Sequence, residues 1–377
     1  MTRPRRSFLL LALVVSGGCS EPAAAPTSAP AARPVAPAVA APEPAPLELP
    51  GRLIFLAETE GNAALVGLRN QDRRELLRGT GLYPAAVDPG GTMLAVIAVD
   101  EQNGEHREHL EIRPLGDETL GPPIYSSETS THVRNPSWGP GGRFFVFEAA
   151  FTSFRDLYRV ELPAGTVTRL TDNTEGNFEP AVSPDGRNIA FVSSRDGNAE
   201  VYRMTAEGGE PTRLTEFPLD DWGPMWAPDG QTLVFLSNRE LIDRIFLMRP
   251  DGGEQRRLTA DRTPARDPDA PLGDEPHETD PAIAPDGASI AYCVRTGSQG
   301  AALRIAPMTA GGPVINLSDG SVSDRSPVWS PDGAHLVFVS NRDAGDLELY
   351  GIPRAGGEPS RLTRREGADW LPRWAPR

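Results

Sequence analysis

The chain has 377 residues, with 52 acidic side chains against 37 basic ones and a net charge of −15. That balance argues against a nucleic-acid partner and against electrostatic attachment to anionic lipid. Its two cysteines, Cys19 and Cys293, are too few for a disulfide-built scaffold.

In chain order, residues 1–18 read as an export signal. Arg3, Arg5 and Arg6 form a basic start, and residues 8–15 form an apolar run too short to span a bilayer as a helix. Arg5-Arg6-Ser7-Phe8-Leu9 resembles a twin-arginine signal. Ser16-Gly17-Gly18-Cys19 resembles a lipobox, the bacterial site at which the cysteine becomes the lipidated first residue. We therefore expect an exported lipoprotein held in the cell envelope by Cys19, on the outer membrane by analogy with Ser20. The acyl chains would be its only contact with the membrane. Residues 19–50 follow as a tether: 20 of the 30 residues in 21–50 are Ala or Pro and none is aromatic. Such a segment buries no core and stays extended.

The rest, residues 51–377, is organised by one repeated phrase. Pro327-Val328-Trp329-Ser330-Pro331-Asp332-Gly333 recurs as Pro224-Met225-Trp226-Ala227-Pro228-Asp229-Gly230, with Val182 or Ile283 in the Trp slot at Pro180 and Pro281. Looser copies start at Pro136 and Pro84, and Pro372 begins a seventh. The base period is 44 residues, a length that suits a helical repeat or a four-stranded propeller blade. The segments between copies decide for strands. Ile189-Ala190-Phe191-Val192 and Leu336-Val337-Phe338-Val339 are short, β-rich and bounded by turn residues. One blade reads as strands over 179–183, 188–193, 200–204 and 211–215, closed by an Arg-Leu-Thr ending that recurs at Arg169, Arg213, Arg257 and Arg361. The first blade lacks its inner strand, which we place in residues 370–374. The expected fold is therefore an all-β, seven-bladed β-propeller of four-stranded antiparallel blades. Its ring closes where the C-terminal strand pairs with the N-terminal blade, leaving no open sheet edge.

These repeats resemble the Pro-Asp-Gly propeller repeats of TolB and of tricorn-like and prolyl-oligopeptidase-like proteins. The resemblance spans roughly residues 51–377. TolB-like proteins dock a peptidoglycan-associated lipoprotein on the propeller, so the resemblance implies an envelope partner for this chain.

The Trp slot at Pro+2 (Trp138, Trp226, Trp329, Trp374) reads as blade-to-blade core. Trp222 and Trp370 stand two residues before the proline, with Phe178 and Arg325 in the same slot of other blades. One residue earlier stand Asn177, Asp221, Glu278, Asp324 and Asp369. We expect these nine residues to gather at one mouth of the channel as an acidic rim carrying aromatic and Arg side chains, the types that most often anchor protein interfaces. The alternative is that the carboxylates bond the loop backbone and the aromatics pack on neighbouring blades. Insertions at 101–108 and 261–277, and Phe151 and Phe154, are expected on the same face.

No Gly-x-Ser-x-Gly elbow or His-Glu-x-x-His spacing occurs, and no cofactor or metal is implied. The expectation is a monomeric, non-catalytic scaffold that binds an envelope protein or peptide at the channel mouth. The alternative is a propeller enzyme, a periplasmic lyase, lactonase or hydrolase, with a channel site. That alternative requires a bound metal, or convergent His and carboxylate groups with raised pKa.

Overall fold

The computed structural model describes residues 47–59, 62–79, 81–102, 105–259, 276–296, 300–309, 311–343, 346–364 and 367–375. The export signal, Cys19, the tether up to residue 46 and all but the last two residues of the insertion over 261–277 lie outside the described residues. Among the described residues no helix is long and apolar enough to cross a membrane.

Among the described residues, twenty-eight strands form seven four-stranded antiparallel sheets. Blade 1 holds β1 (Arg52–Thr59), β2 (Asn62–Arg69) and β3 (Asp72–Arg78). Blade 2 runs β4 (Leu82–Val87), β5 (Met93–Gln102), β6 (Glu105–Pro114) and β7 (Tyr125–Ser126). Blade 3 runs β8 (Val133–Trp138), β9 (Phe144–Ala149), β10 (Asp156–Glu161) and β11 (Thr166–Arg169). Blade 4 has β12 (Asn177–Val182), β13 (Asn188–Ser193), β14 (Glu200–Thr205) and β15 (Gly208–Arg213). Blade 5 has β16 (Asp221–Trp226), β17 (Leu233–Ser237), β18 (Arg244–Met248) and β19 (Arg256–Arg257). Blade 6 has β20 (Pro276–Ile283), β21 (Ser289–Thr296), β22 (Ala301–Pro307) and β23 (Ile315–Asn316). Blade 7 has β24 (Asp324–Trp329), β25 (His335–Ser340), β26 (Glu348–Pro353) and β27 (Ser360–Arg361). The last strand, β28 (Ala368–Ala375), pairs with β1 and completes blade 1, the expected closure.

The Pro-Asp-Gly turn works the same way in the two copies that begin with serine. Ser183 Oγ donates to Asp185 Oδ1 at 2.6 Å, Arg187 N–H donates to the same oxygen at 3.0 Å, and Gly186 takes φ 72°. At Ser330, Asp332 and Gly333 the geometry repeats, with 2.6 Å, 3.0 Å and φ 68°. The aspartate satisfies the turn's N–H, and only the glycine adopts the left-handed conformation without steric cost.

The core is not one mass. Seven apolar clusters occur among the described residues, one between each pair of adjacent blades. Strand alternation builds them: Leu336 and Phe338 face blade 6, whereas Val337 and Val339 face blade 1. Leu49, assigned from sequence to the tether, is buried in the cluster between blades 7 and 1, with Leu47 packed against it. Three Trp-slot indoles cross a blade interface. Trp138, Trp226 and Trp329 donate Nε1–H to the carbonyls of Ala86, Ala181 and Ala282 at 3.3, 3.0 and 2.9 Å. Trp374 Nε1 makes no such bond. Cys293 is fully buried between blades 6 and 7, and burial holds its thiol well above its ordinary pKa, which makes it a packing residue rather than a reactive one.

Arg-Leu-Thr also has a structural reason. Its Arg and Thr hold a buried acid at the start of the third strand. Arg213 Nη2 donates to Glu200 Oε1 at 2.9 Å, and Thr215 Oγ1 donates to Oε2. Arg169 and Thr171 hold Asp156 in the same way, as Arg361 and Thr363 hold Glu348. Blade 5 carries Arg244 in the acid's place, and Glu278 from blade 6 supplies the carboxylate, accepting from Thr259 Oγ1 at 2.6 Å.

Candidate functional site at the channel mouth

Each inner strand is bulged. The ladder slips between the residue two before the proline and the residue after it, so the pre-proline residue and the proline lie outside the ladder. Proline cannot donate to a ladder, and a bulge is where a strand tolerates it. The pre-proline residue turns left-handed: Asn135, Glu179, Asp280, Ser326 and Leu371 have φ of 51–52°, and Gly223 has 62°. For a residue other than glycine this conformation costs roughly 1–2 kcal/mol. Its recurrence in six inner strands makes it part of the architecture. In blade 2 the slip falls one residue later, between Pro84 and Ala86, so Ala85 occupies the slot that the sequence pattern gives to Pro84.

The bulges bend the backbone into the central channel, a cavity of about 750 Å³ whose wall includes the pre-proline residues Asn135, Glu179, Gly223, Asp280 and Leu371 and several of the prolines and residues just after them. Hydrogen bonds tie neighbouring bulges together. Gly223 N–H donates to Glu179 Oε2 at 2.8 Å, Ser326 N–H to Asp280 Oδ2 at 3.1 Å, and Glu179 N–H to Glu148 Oε2 at 2.6 Å.

The residues expected at the rim divide into two groups. Asn177, Asp221, Asp324, Asp369 and Glu278 are 0–4% exposed. Asp221 and Asp324 are clamped by Arg239 and Arg342 at 2.7 and 2.8 Å, and Asn177 accepts from Arg195 at 3.1 Å. Asp369 lies 3.8 Å from Arg73, and Glu278 accepts from Ile245 N–H and Thr259. Each clamping Arg also lies over rings of its own blade, Arg195 over Tyr202, Arg239 over Phe246 and Arg342 over Tyr350, with its Cζ 4.6–4.8 Å from the ring centroid. The acidic side chains are thus interior braces. Sequence pattern gave them a surface because their slot sits next to a loop, and nothing local announced the arginines 18 residues downstream. Trp370 is likewise built in: its indole donates to Glu58 at 3.1 Å and packs at both faces of blade 1. Phe178, Trp222 and Trp370 are all half-buried and Arg325 is exposed, and of the aromatic three Phe178 and Trp222 line the cavity beside the channel. Phe151 packs on Tyr158 at 4.8 Å, whereas Phe154 is exposed.

Beside the channel mouth a second cavity of about 320 Å³ opens, lined by His132, Arg134, Glu148, Arg155, Phe178, Glu179 and Trp222 among others. It shares Arg134, Asn135, Glu179 and Trp222 with the channel wall. Glu148, 1% exposed, is its hub. His132 Nε2 lies 2.6 Å from Oε1, and Asn135 Nδ2 donates to Oε2 at 3.1 Å. Arg155 stands 3.5 Å from Glu148, with its guanidinium 3.9 Å over the Phe178 ring. Arg134 is gripped by both oxygens of Glu108 from the long β5–β6 hairpin. Burial acts to raise the Glu148 pKa, but hydrogen bonds from His132, the Glu179 N–H and Asn135 bring it below the ordinary value. Glu179 goes the other way, raised chiefly by burial and further by Glu148.

That raised pKa has a consequence for stability. A carboxyl whose folded pKa exceeds its unfolded one adds stability below the unfolded value, about 4.3, and loses it as pH rises through the folded value. Glu179→Gln keeps an oxygen for Gly223 N–H and removes the buried charge. It is expected to raise the urea midpoint at pH 7, with the advantage vanishing below about pH 4. An equal midpoint at both pH values would show that Glu179 carries no burial penalty.

Sequence reasoning missed His132, Glu148, Arg155 and Glu179. Glu148 lies on β9 and Arg155 just before β10, outside the repeated phrase. Glu179 stands in the one slot where residue types vary freely while φ does not. Among the described residues, no group of three or more His, Cys, Asp or Glu is placed to hold a metal.

A family model described as the tricorn protease N-terminal beta propeller domain matches residues 148–269. An uncharacterized peptidase, YuxL of Bacillus subtilis (strain 168), is 32% identical over 102 residues, which are 26% of this chain and 16% of that relative. The match thus spans about a sixth of the curated relative. Among solved structures, TolB from Acinetobacter baumannii superposes with TM-score 0.56 at 21% identity, over 86% of this chain and 82% of that one. An oligogalacturonate lyase from Vibrio parahaemolyticus gives 0.59 at 14% identity, over 81% and 88%. A prolyl endopeptidase gives 0.62 at 15% identity, over 84% of this chain and 49% of its own. At these identities the structural likeness is one of fold, and a propeller hosts binding proteins and enzymes alike. The chain is a seven-bladed β-propeller of Pro-Asp-Gly repeats, similar in fold to TolB and carrying a match to the tricorn N-terminal propeller.

Proposed function

We propose that the protein is a non-catalytic, envelope-associated binding module that takes a protein or peptide segment at the channel mouth formed by blades 3, 4 and 5. The observation that carries this reading is the paired cavity. A mouth pocket walled by Phe178, Trp222, Arg134 and Arg155 opens beside a channel with which it shares Trp222 and Arg134. Aromatic and Arg side chains held in place by neighbours are the groups that anchor segments at interfaces. The Arg155–Phe178 stack and the Glu108 grip on Arg134 fix two of them in advance, which lowers the ordering cost of binding. The envelope location rests on the export signal and on Cys19. The test is crosslinking and capture from envelope membranes with wild type and with Trp222→Ala. Trp370 is unsuited to this purpose because it packs blade 1. One protein held by wild type and reduced at least about tenfold for a folded Trp222→Ala chain, a loss of ~1.4 kcal/mol, is the expected outcome. Equal capture by both chains would remove the mouth from the account.

A specific observation favours a second reading, a channel enzyme of the lyase or hydrolase kind. Glu148 and Glu179 are neighbours with pKa values pushed in opposite directions, and His132 is bonded to one of them. Paired carboxylates in divergent environments are how acid and base roles are set. Turnover of any screened substrate that is lost in Glu179→Gln would establish it.

A further inference from the structure

Arg373 follows the bulge of β28 by one residue and projects into the channel wall. The equivalent residues of the other inner strands are Ala86, Ser137, Ala181, Met225, Ala282 and Val328. Arg373 is therefore the one charged side chain at this level of the ring. Its Nε–H donates to the carbonyl of Ala85 at 2.8 Å and Nη1–H to that of Pro372 at 2.9 Å. A guanidinium carries five N–H donors, so three are left over among the described residues. No carboxylate forms an ion pair with it there. Glu179 and Asp280, the channel's acids, sit one level nearer the entry mouth and are engaged by the N–H groups of Gly223 and Ser326. Arg373 is half-buried, desolvation pulls its pKa down, and the lumen reaches it. A partly desolvated cation with no counter-charge is unfavourable to fold. Here two carbonyls hold it in one orientation in the wall of a cavity of about 750 Å³.

We propose that the channel is a carboxylate-binding site anchored by Arg373. A carboxylate seated end-on against Nη1 and Nη2 would supply the missing charge and accept two parallel hydrogen bonds, the geometry for which a guanidinium is suited and an ammonium is not. The acids at the pre-proline level repel an anion there, so it settles deeper, at Arg373. The carboxylate could come from the C-terminus of a peptide, which rests on the binding-module reading above, or from a small free acid, which does not.

The test uses the full chain, ¹⁵N-labelled, with the backbone amide resonances of Gly223 and Leu371 in the channel wall followed by NMR at pH 7 in wild type and variants, and the Arg373 Nε–H resonance as well in wild type. The probes are tri-alanine with a free C-terminus, tri-alanine amide and succinate. A saturable shift with the free-acid peptide is expected, weakened at least tenfold for the amide and lost in Arg373→Gln. Arg373→Lys keeps a cation and is expected to bind more weakly than wild type but measurably, which separates loss of the site from loss of the fold. A shift with succinate alone supports the carboxylate site and removes the peptide as its source. Equal affinity for acid and amide, unchanged affinity in Arg373→Gln, or no saturable shift with either carboxylate would each overturn the proposal.

Discussion

A chain ending at Arg364, ahead of β28, is expected to lose its cooperative unfolding transition altogether. β28 pairs with β1 from Arg52↔Ala375 to Glu58↔Ala368. It brings Trp370 and Trp374 against Leu53, Phe55 and Ala57 in the cluster between blades 7 and 1. Removing the packing of a single fully buried aromatic costs about 3–5 kcal/mol, and two half-buried ones are lost here together with the ladder to β1. A folded domain has only about 5–15 kcal/mol in total. The row of N–H and C=O groups on β1 is also left open to other chains. Circular dichroism and size exclusion should show aggregation or a broad, non-cooperative melt. A sharp transition within a few degrees of the intact chain would mean that the ring does not depend on its closure.

The second large effect is expected at Glu148. Glu148→Ala deletes a carboxylate that serves His132, Asn135 and the backbone N–H of Glu179 at 2.6–3.1 Å. Breaking a buried charged network by removing one member costs about 3–5 kcal/mol, because the abandoned donors have nowhere else to turn. Glu148→Gln keeps acceptor oxygen in place and is expected to cost about 1–2 kcal/mol. The pH dependence follows from the lowered pKa of Glu148. Its contribution is present above the unfolded value, about 4.3, and is lost as pH falls through the folded value. The wild-type advantage over Glu148→Gln should therefore shrink below about pH 4. Glu179 contributes with the opposite sign, so Glu148→Gln and Glu179→Gln should move the neutral-pH midpoint in opposite directions.

Much of the architecture was legible because a repeat states it seven times. Pro-Asp-Gly fixed the turn, the period fixed the blade, and the stray copy at Pro372 fixed the closure. Strand β13 falls on the residues read from sequence, 188–193. The fourth strand of that blade starts earlier, at Gly208, because Gly208 pairs with Thr205 inside what reads as a turn. The site was less legible for two physical reasons. Burial of Asp221 and Asp324 depends on arginines that reach back from the loop after the second strand, a tertiary fact with no local pattern. The channel wall depends on backbone conformation: Asn135, Glu179, Asp280, Ser326 and Leu371 share a φ and no chemistry. The signal available was the proline that follows each of them, which marks where the ladder must break.

The most direct test of the central claim places a photo-crosslinking residue at Trp222, in the mouth, and separately at Val167, exposed on the outer strand β11 of blade 3. Both chains are illuminated on envelope membranes. A single crosslinked partner at position 222, absent at 167 and competed away by unlabelled wild type, is the expected result. The same partner at both positions, or at 167 alone, would contradict a binding module that works through its channel mouth.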